Sequence, residues 1–208
     1  MNSSKEYLPR IFQANIDRLY RRVIADSVSK LNRHGELTTG TAATMVEFLD
    51  RAAAQVDNYT HNEASKAFAL ILSASFERQI RILGTHWFQE PELSQVPTRS
   101  FRLLLPEMAK LLLVDLESDG IGDAIIENYL VANVVRHGDG PTCTILRECA
   151  PRLWQQEGVE YVDLLPGPSP LSELLLIRPS DLARYANAII RFWGRADHHP
   201  FADAMAHY

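Results

Sequence analysis

The stretch EASKAFALILSASFERQIRILGTHWF, residues 63–88, decides the fold that we expect for this chain. Its large apolar residues do not keep to one side of a helix, because several of them are neighbours in sequence. They are Phe68, Leu70, Ile71, Leu72, Phe76, Ile80 and Leu83. A helix that is apolar on more than one face is covered by neighbours on several sides. We therefore place this segment at the centre of a helical bundle.

Segments on both sides of it are predicted to be helices from their apolar periodicity. They are residues 7–31, 45–56, 101–118, 121–137 and 180–194, and a short helix is expected after Pro141. The polar sequence DNYTHN, residues 57–62, is interpreted as the break before the central helix. Pro106 is expected either to kink its helix or to begin the second half of that helix. Ser180 or Asp181 is expected to cap the last helix.

The stretch before the last helix is the least regular part of the chain. It mixes prolines with two short apolar runs, Tyr161 to Leu165 and Leu174 to Ile177, which are expected to be irregular or to form a small hairpin. Short polar loops join the helices elsewhere, as in an up-down bundle. We therefore predict an all-α fold, a single helical domain over residues 1–208.

Composition limits the possible partners. The net charge of -5 argues against a general polyanion binder. Residues 1–34 contain seven basic and three acidic residues, which we interpret as a solvated helix face, with a binding surface as the alternative. The two cysteines are too few for a disulfide framework and suggest reduced thiols in the cytoplasm. The sequence contains no apolar signal core and no membrane span, so we expect no membrane partner.

Several common functional motifs are absent or incomplete. There is no nucleophile elbow of the Gly-x-Ser-x-Gly type and no glycine-rich phosphate loop. DLESDGIGDAIIE, residues 115–127, begins like a calcium loop, but Ile126 occupies the twelfth position and Glu127 comes one residue late. We interpret its acidic residues as caps of the next helix. DHHP, residues 197–200, lacks a supporting ligand pattern. We predict neither a metal nor a cofactor.

The sequence LVANVVRHGDG, residues 130–140, contains the strongest candidate site. Its three candidate catalytic residues are Asn133, Arg136 and His137, whose spacing puts them on adjacent turns at one helix end. An imidazole can move a proton and a guanidinium can hold an anionic phosphorus centre, so this group suits phosphate-ester chemistry. The alternative is that the cations only complement the helix dipole. Gly138 is expected to end the helix in a left-handed conformation.

Three segments together resemble HEPN-domain proteins over about residues 60–194: LSASFERQIRIL, ENYLVANVVRHGDGP and LARYANAIIRFW. The resemblance implies a bundle that dimerises through paired helix ends, and often a metal-independent ribonuclease of defence or toxin-antitoxin systems. The family signature is an Arg, then a polar residue, with a His four to six residues after the Arg. Asn133 and His137 match the last two, but Ala132 occupies the Arg position. Arg136 is the guanidinium that could replace it.

The sequence therefore leaves two functions open. In the first, an RNA-cleaving or RNA-binding homodimer uses His137 for proton transfer at the ribose 2'-hydroxyl, Arg136 to steady the phosphate and Asn133 to position the substrate. In the second, a non-catalytic helical module binds a partner protein, such as an antitoxin, or a nucleotide. Two further pairs of an Arg and a His match the spacing of the family signature, which is about the number expected by chance. Arg81 of one pair is expected to form an ion pair with Glu77.

Overall fold

A computed structural model describes residues 4–34, 42–88, 92–155, 169–199 and 202–203. The main helices are α1 (Leu8–Leu19), α2 (Ala25–Ser29), α3 (Met45–Trp87), α4 (Phe101–Leu111), α5 (Ile121–His137), α6 (Pro141–Cys149) and α7 (Pro179–Ala196). A π-helical turn, Tyr20–Ile24, joins α1 to α2. Short 3-10 turns occur at Ser4–Tyr7, Glu92–Gln95, Ser118–Gly120 and Pro151–Trp154. Within the described ranges there is no strand, and the all-α prediction is confirmed.

The predicted break at residues 57–62 is wrong, because α3 runs through it as one helix of 43 residues. The segment has no Gly or Pro, and its asparagines bond outside their own helix. Asn58 accepts from the His34 amide at 2.8 Å and donates to the His34 carbonyl at 3.0 Å. Asn62 donates to the Leu175 carbonyl at 2.9 Å and accepts from the Ile177 amide at 3.0 Å. Side chains occupied in this way do not compete for the helix's backbone bonds.

The second half of α3 lies at the centre of the core, as predicted. Leu72, Phe76, Ile80 and Leu83 are at most 1% exposed. The Phe76 ring has edge contacts with Phe192 and Trp193 of α7, at centroid distances of 5.1 and 5.6 Å. Aromatic edge-to-face pairs of this kind add to the stability gained from burial.

The first turns of α3 are different, because their apolar side chains face solvent. Met45, Val46, Phe48, Leu49 and Val56 are 50–71% exposed. We call these five residues the α3 apolar row. A cluster of exposed apolar residues of this kind marks an interaction surface more often than chance.

The segment before α7 is irregular where the structure describes it, from residue 169 onward. Leu175, Leu176 and Ile177 are buried, and the Leu176 amide donates to the Leu153 carbonyl at 2.8 Å. The run from Tyr161 to Leu165 lies outside the described residues. Arg178, rather than Ser180 or Asp181, is the N-cap residue of α7, because the helix begins at Pro179. Asp181 still contributes, since its carboxylate accepts from the Arg178 amide at 3.0 Å.

The helix predicted at residues 101–118 ends early, at Leu111, and contains Pro106 within it. Leu113 has a φ of 56° and is 81% exposed. The Val114 amide donates to the Ala109 carbonyl at 2.8 Å, which is the bond of a helix that ends in a left-handed residue. Glycine is the usual residue at such a position, so Leu113 costs backbone free energy there.

Candidate functional site at the end of α5

The candidate residues lie on the last two turns of α5, as predicted. Arg136 and His137 are exposed, and Asn133 is half-buried. The Asn133 amide donates to the Tyr129 carbonyl of its own helix at 2.9 Å. A guanidinium and an imidazole are thus presented to solvent at one helix end, beside an amide whose nitrogen is held by the helix backbone.

The turn that follows is fixed to the segment before α7. Gly138 has a φ of 72° and a ψ of -148°, so its positive φ is as predicted, although its ψ differs from that of a left-handed helix. The Asp139 carboxylate accepts from the amides of Ser172 at 2.7 Å and Leu171 at 3.1 Å. Hydrogen bonds from Ser172, with a further one from Leu171, hold the pKa of Asp139 below its usual range.

The same segment is anchored to α3 from the other side. Lys66 is 5% exposed, and its ammonium group donates to Glu63 at 2.7 Å and to the Glu173 carbonyl at 3.3 Å. The charge of Glu63 is the largest cause of a raised pKa at Tyr59. Burial and the charge of Glu173 raise it further. The turn after α5 and the middle of α3 therefore share one support, residues 171–177.

Ala132 explains how this site departs from the HEPN signature. It is 3% exposed, so the position at which the resemblance expects an Arg faces the core. A guanidinium there would be buried at considerable cost unless it were paired. Arg136, one turn further on, is the guanidinium that α5 presents to solvent.

Asp119 of the acidic loop before α5 pairs with two arginines. Gly120 is the N-cap residue of α5 and no side chain forms a cap bond there, so the acidic residues do not cap the helix by a hydrogen bond; Asp123 lies in its first turn, where a carboxylate favours the helix dipole. Asp119 pairs with Arg191 at 2.8 Å and Arg195 at 2.5 Å, both on α7. Asp115 accepts from the Glu117 amide at 3.0 Å, which is a local turn.

Glu127 is the centre of an ion cluster that the sequence did not predict. One of its carboxylate oxygens accepts from Arg152 at 2.7 Å, from Tyr185 at 2.6 Å and from Arg184. Arg152 also donates to Asp181 at 2.9 Å. Burial, and then the charge of Glu127, raise the pKa of Tyr185, so its phenol remains a donor. The cluster joins α5 to α7 and to the turn at residues 151–154. No spacing rule could have found it, because its members are far apart in sequence.

The other arginine and histidine candidates have structural partners. Arg81 pairs with Glu77 at 2.7 Å, which confirms the predicted ion pair. Its guanidinium also donates to the Val96 carbonyl at 2.7 Å and to two further carbonyls of the connector before α4. Asp197 of the DHHP sequence pairs with Arg10 at 2.8 Å. His198 contacts the Leu112 carbonyl at 3.1 Å.

Comparison with known proteins finds no matching family model, no matching curated protein and no matching solved structure. The HEPN resemblance therefore rests on the three sequence segments that suggested it. Among the described residues, no group of three or more His, Cys, Asp or Glu side chains is arranged to hold a metal ion. No helix in these residues is long and apolar enough to cross a membrane.

Proposed function

We propose that this chain is a HEPN-like RNA-binding protein that cleaves RNA at the end of α5, in the cytoplasm and within a defence or toxin-antitoxin system. The observation that supports it best is that Arg136 and His137 are both exposed on the last turn of α5. Asp139 fixes the following turn through two backbone amides. A phosphate that approaches this helix end from solvent could therefore reach the guanidinium or the imidazole.

The proposed reaction uses the nucleophile that RNA carries itself. The 2'-oxygen bonds to the adjacent phosphorus, and the bond from phosphorus to the 5'-oxygen breaks. His137 removes the 2'-hydroxyl proton, and an imidazole returns a proton to the leaving 5'-oxygen. Arg136 holds the phosphate oxygens through its forked donors. The carbonyl oxygen of the Asn133 amide can accept from a ribose hydroxyl or a base. No metal takes part in these steps.

A homodimer would bring two α5 ends together and supply a second imidazole. The α3 apolar row supports this proposal, because five large apolar side chains are at least half exposed at one end of α3. A second copy could cover them with its own row, since a twofold interface uses the same surface on both partners. Light scattering should then give twice the chain mass of 23.5 kDa. A monomer at micromolar concentrations would contradict the paired site.

The second candidate function is a non-catalytic helical module that binds a partner protein, such as an antitoxin, or a nucleotide. Ala132 favours it, because the position at which the HEPN signature has its Arg holds an alanine here. That position is also buried. In this case Arg136 and His137 complement the dipole of α5 or contact the partner.

The two functions are separated by cleavage assays with labelled RNA and with DNA of matched sequence. We expect His137→Ala to reduce RNA cleavage by at least roughly 100-fold, as for loss of an acid-base group, and Arg136→Ala by roughly tenfold. DNA should remain intact and a chelator should have no effect.

His86→Ala is the matched control, because His86 is also an exposed histidine in the last turn of a helix. Arg102→Ala serves in the same way for Arg136, since Arg102 is exposed on α4. Both controls should cleave like wild type, and circular dichroism checks the folding of each variant. Intact RNA with wild type, or full activity of His137→Ala, would contradict catalysis and favour the module.

A further inference from the structure

A cavity of about 280 Å³ lies among α2, α3 and α7, beside the π-helical turn that joins α1 to α2. Ile24, Val28 and Leu182 contribute apolar walls and are at most 6% exposed. Ser29 and Pro179 also line it and are exposed, so they mark where the cavity reaches solvent. None of its described lining residues belongs to α5. The cavity is therefore distinct from the candidate site at the end of that helix.

The helix beside the cavity contains one extra residue in a turn. The Ala25 amide donates to the Tyr20 carbonyl, five residues back, where a regular α-helix bonds four residues back. Both Tyr20 and Ala25 line the cavity. Such π-helical turns are rare and occur often at functional sites. The irregular turn of this helix and the cavity thus coincide.

The wall of the cavity favours an uncharged ligand. Its described lining residues include no Asp, Glu, Lys or Arg. Burial, and then the charge of Arg33, lower the pKa of His61, and burial raises the pKa of Tyr20. Both of these lining groups are therefore uncharged at neutral pH. A charged ligand would lose its hydration here without gaining an opposite charge from these residues, which is costly.

The volume of the cavity limits the size of its ligand. An apolar cavity of about 150 Å³ in a protein core stays dry and binds benzene. The same ratio of volume to ligand size gives a molecule of about eleven heavy atoms for this cavity. Two fused aromatic rings with one small substituent have that size.

We propose that this cavity is a binding site for an uncharged, mainly apolar molecule of about eleven heavy atoms. Its rings pack against Ile24, Val28 and Leu182 and restore the dispersion contacts that an empty apolar cavity lacks. Tyr20 is the lining residue that can bond a hydroxyl group of the ligand, because a phenol both donates and accepts.

The test compares 2-naphthol with two charged molecules of the same ring system, naphthalene-2-carboxylate and naphthalen-2-ylmethylamine. Each is titrated at neutral pH into the full wild-type chain, and binding is measured by calorimetry. We expect 2-naphthol to bind at least roughly tenfold more tightly than either charged molecule, since the described wall offers no opposite charge. Intermolecular NMR contacts should connect the naphthol ring protons to the methyl groups of Ile24, Val28 and Leu182.

A variant that fills the cavity gives a second measurement. Ala25 is half-buried and lines the cavity, so Ala25→Trp should weaken 2-naphthol binding by at least roughly tenfold. Ala67→Trp is the matched control, because Ala67 is exposed on α3 and is not among the lining residues. It should bind like wild type. Circular dichroism checks the folding of both variants.

Four results would overturn the proposal. Equal or tighter binding of either charged molecule would mean that the cavity does not select against charge. Equally strong NMR contacts with Met45 and Leu49 would mean that 2-naphthol adsorbs to exposed apolar surface in general. No binding of 2-naphthol up to its solubility limit would mean that the cavity is not such a site. A folded Ala25→Trp variant that binds like wild type would place the binding elsewhere. The first three results come from wild-type protein, so they do not depend on the folding of a variant.

Discussion

The most informative perturbation of the fold is Asn62→Ala, because Asn62 joins α3 to the support beneath the candidate site. The Asn62 side chain bonds the Leu175 carbonyl at 2.9 Å and the Ile177 amide at 3.0 Å. Asn62 is 6% exposed, and Leu175 and Ile177 are 0% and 2% exposed. Alanine would therefore leave a backbone acceptor and a backbone donor buried without partners.

The expected loss follows from that burial. An unsatisfied buried polar group costs about 1–3 kcal/mol, and some relaxation or water entry is expected for two groups so close together. We therefore expect the free energy of unfolding to fall by about 2–4 kcal/mol. For a chain of this length, that loss corresponds to a decrease in Tm of roughly 4–16 °C. It is a large part of the total stability of a typical domain, about 5–15 kcal/mol.

Urea unfolding followed by circular dichroism measures the effect, and Asn133→Ala is the matched control. The Asn133 side chain is half-buried and bonds only a carbonyl of its own helix, so its loss should cost less than about 0.5 kcal/mol. Asn62→Asp should also destabilise, because a carboxylate would face the Leu175 carbonyl. If Asn62→Ala costs no more than Asn133→Ala, the reasoning about the support is wrong.

Three further predictions concern single contacts. Leu113→Gly should raise the free energy of unfolding by about 1 kcal/mol, because glycine adopts the positive φ of 56° without strain; no gain in urea unfolding would count against this. Glu127→Ala should lower the free energy of unfolding by about 2 kcal/mol, because it leaves the buried Tyr185 hydroxyl without its acceptor and removes a carboxylate partner from Arg152 and Arg184; a loss below about 1 kcal/mol would contradict a structural cluster. The pKa of Asp139 is lowered in the folded chain. The contribution of its carboxylate to the free energy of unfolding is therefore complete above the ordinary carboxyl range, and it is lost as the pH falls through the folded pKa. Urea midpoints of wild type and Asp139→Asn should therefore differ at neutral pH and converge in acid.

The sequence predicted the helices well, because apolar periodicity is a local property. The central position of α3 followed from consecutive apolar residues such as Leu70, Ile71 and Leu72, which lie on different faces of a helix. The break at residues 57–62 was predicted wrongly, because Asn58 and Asn62 are usually found in turns and their distant partners cannot be seen in the sequence. Exposure of the α3 apolar row was missed for the same reason, since periodicity does not say whether a neighbour is present.

Only part of the candidate site could be predicted from the sequence. The order of Asn133, Arg136 and His137 on α5 could be predicted, since helix geometry fixes it. The support beneath it could not, because Asp139 and Lys66 bind residues 171–173 across a long stretch of chain. The cluster around Glu127 and the cavity beside His61 are also products of tertiary packing alone. Ala132 is buried, so an arginine at that position would lose its hydration on folding.

Identification of the RNA ends after cleavage shows whether the 2'-oxygen is the nucleophile. Wild type is incubated with a labelled oligoribonucleotide in the presence of a chelator, with His137→Ala and His86→Ala alongside. We expect products with a 2',3'-cyclic phosphate and a 5'-hydroxyl, because the 2'-oxygen is the nucleophile. These products should appear with wild type and His86→Ala and be absent with His137→Ala. Intact RNA with wild type, or products with a 3'-hydroxyl and a 5'-phosphate, would contradict it.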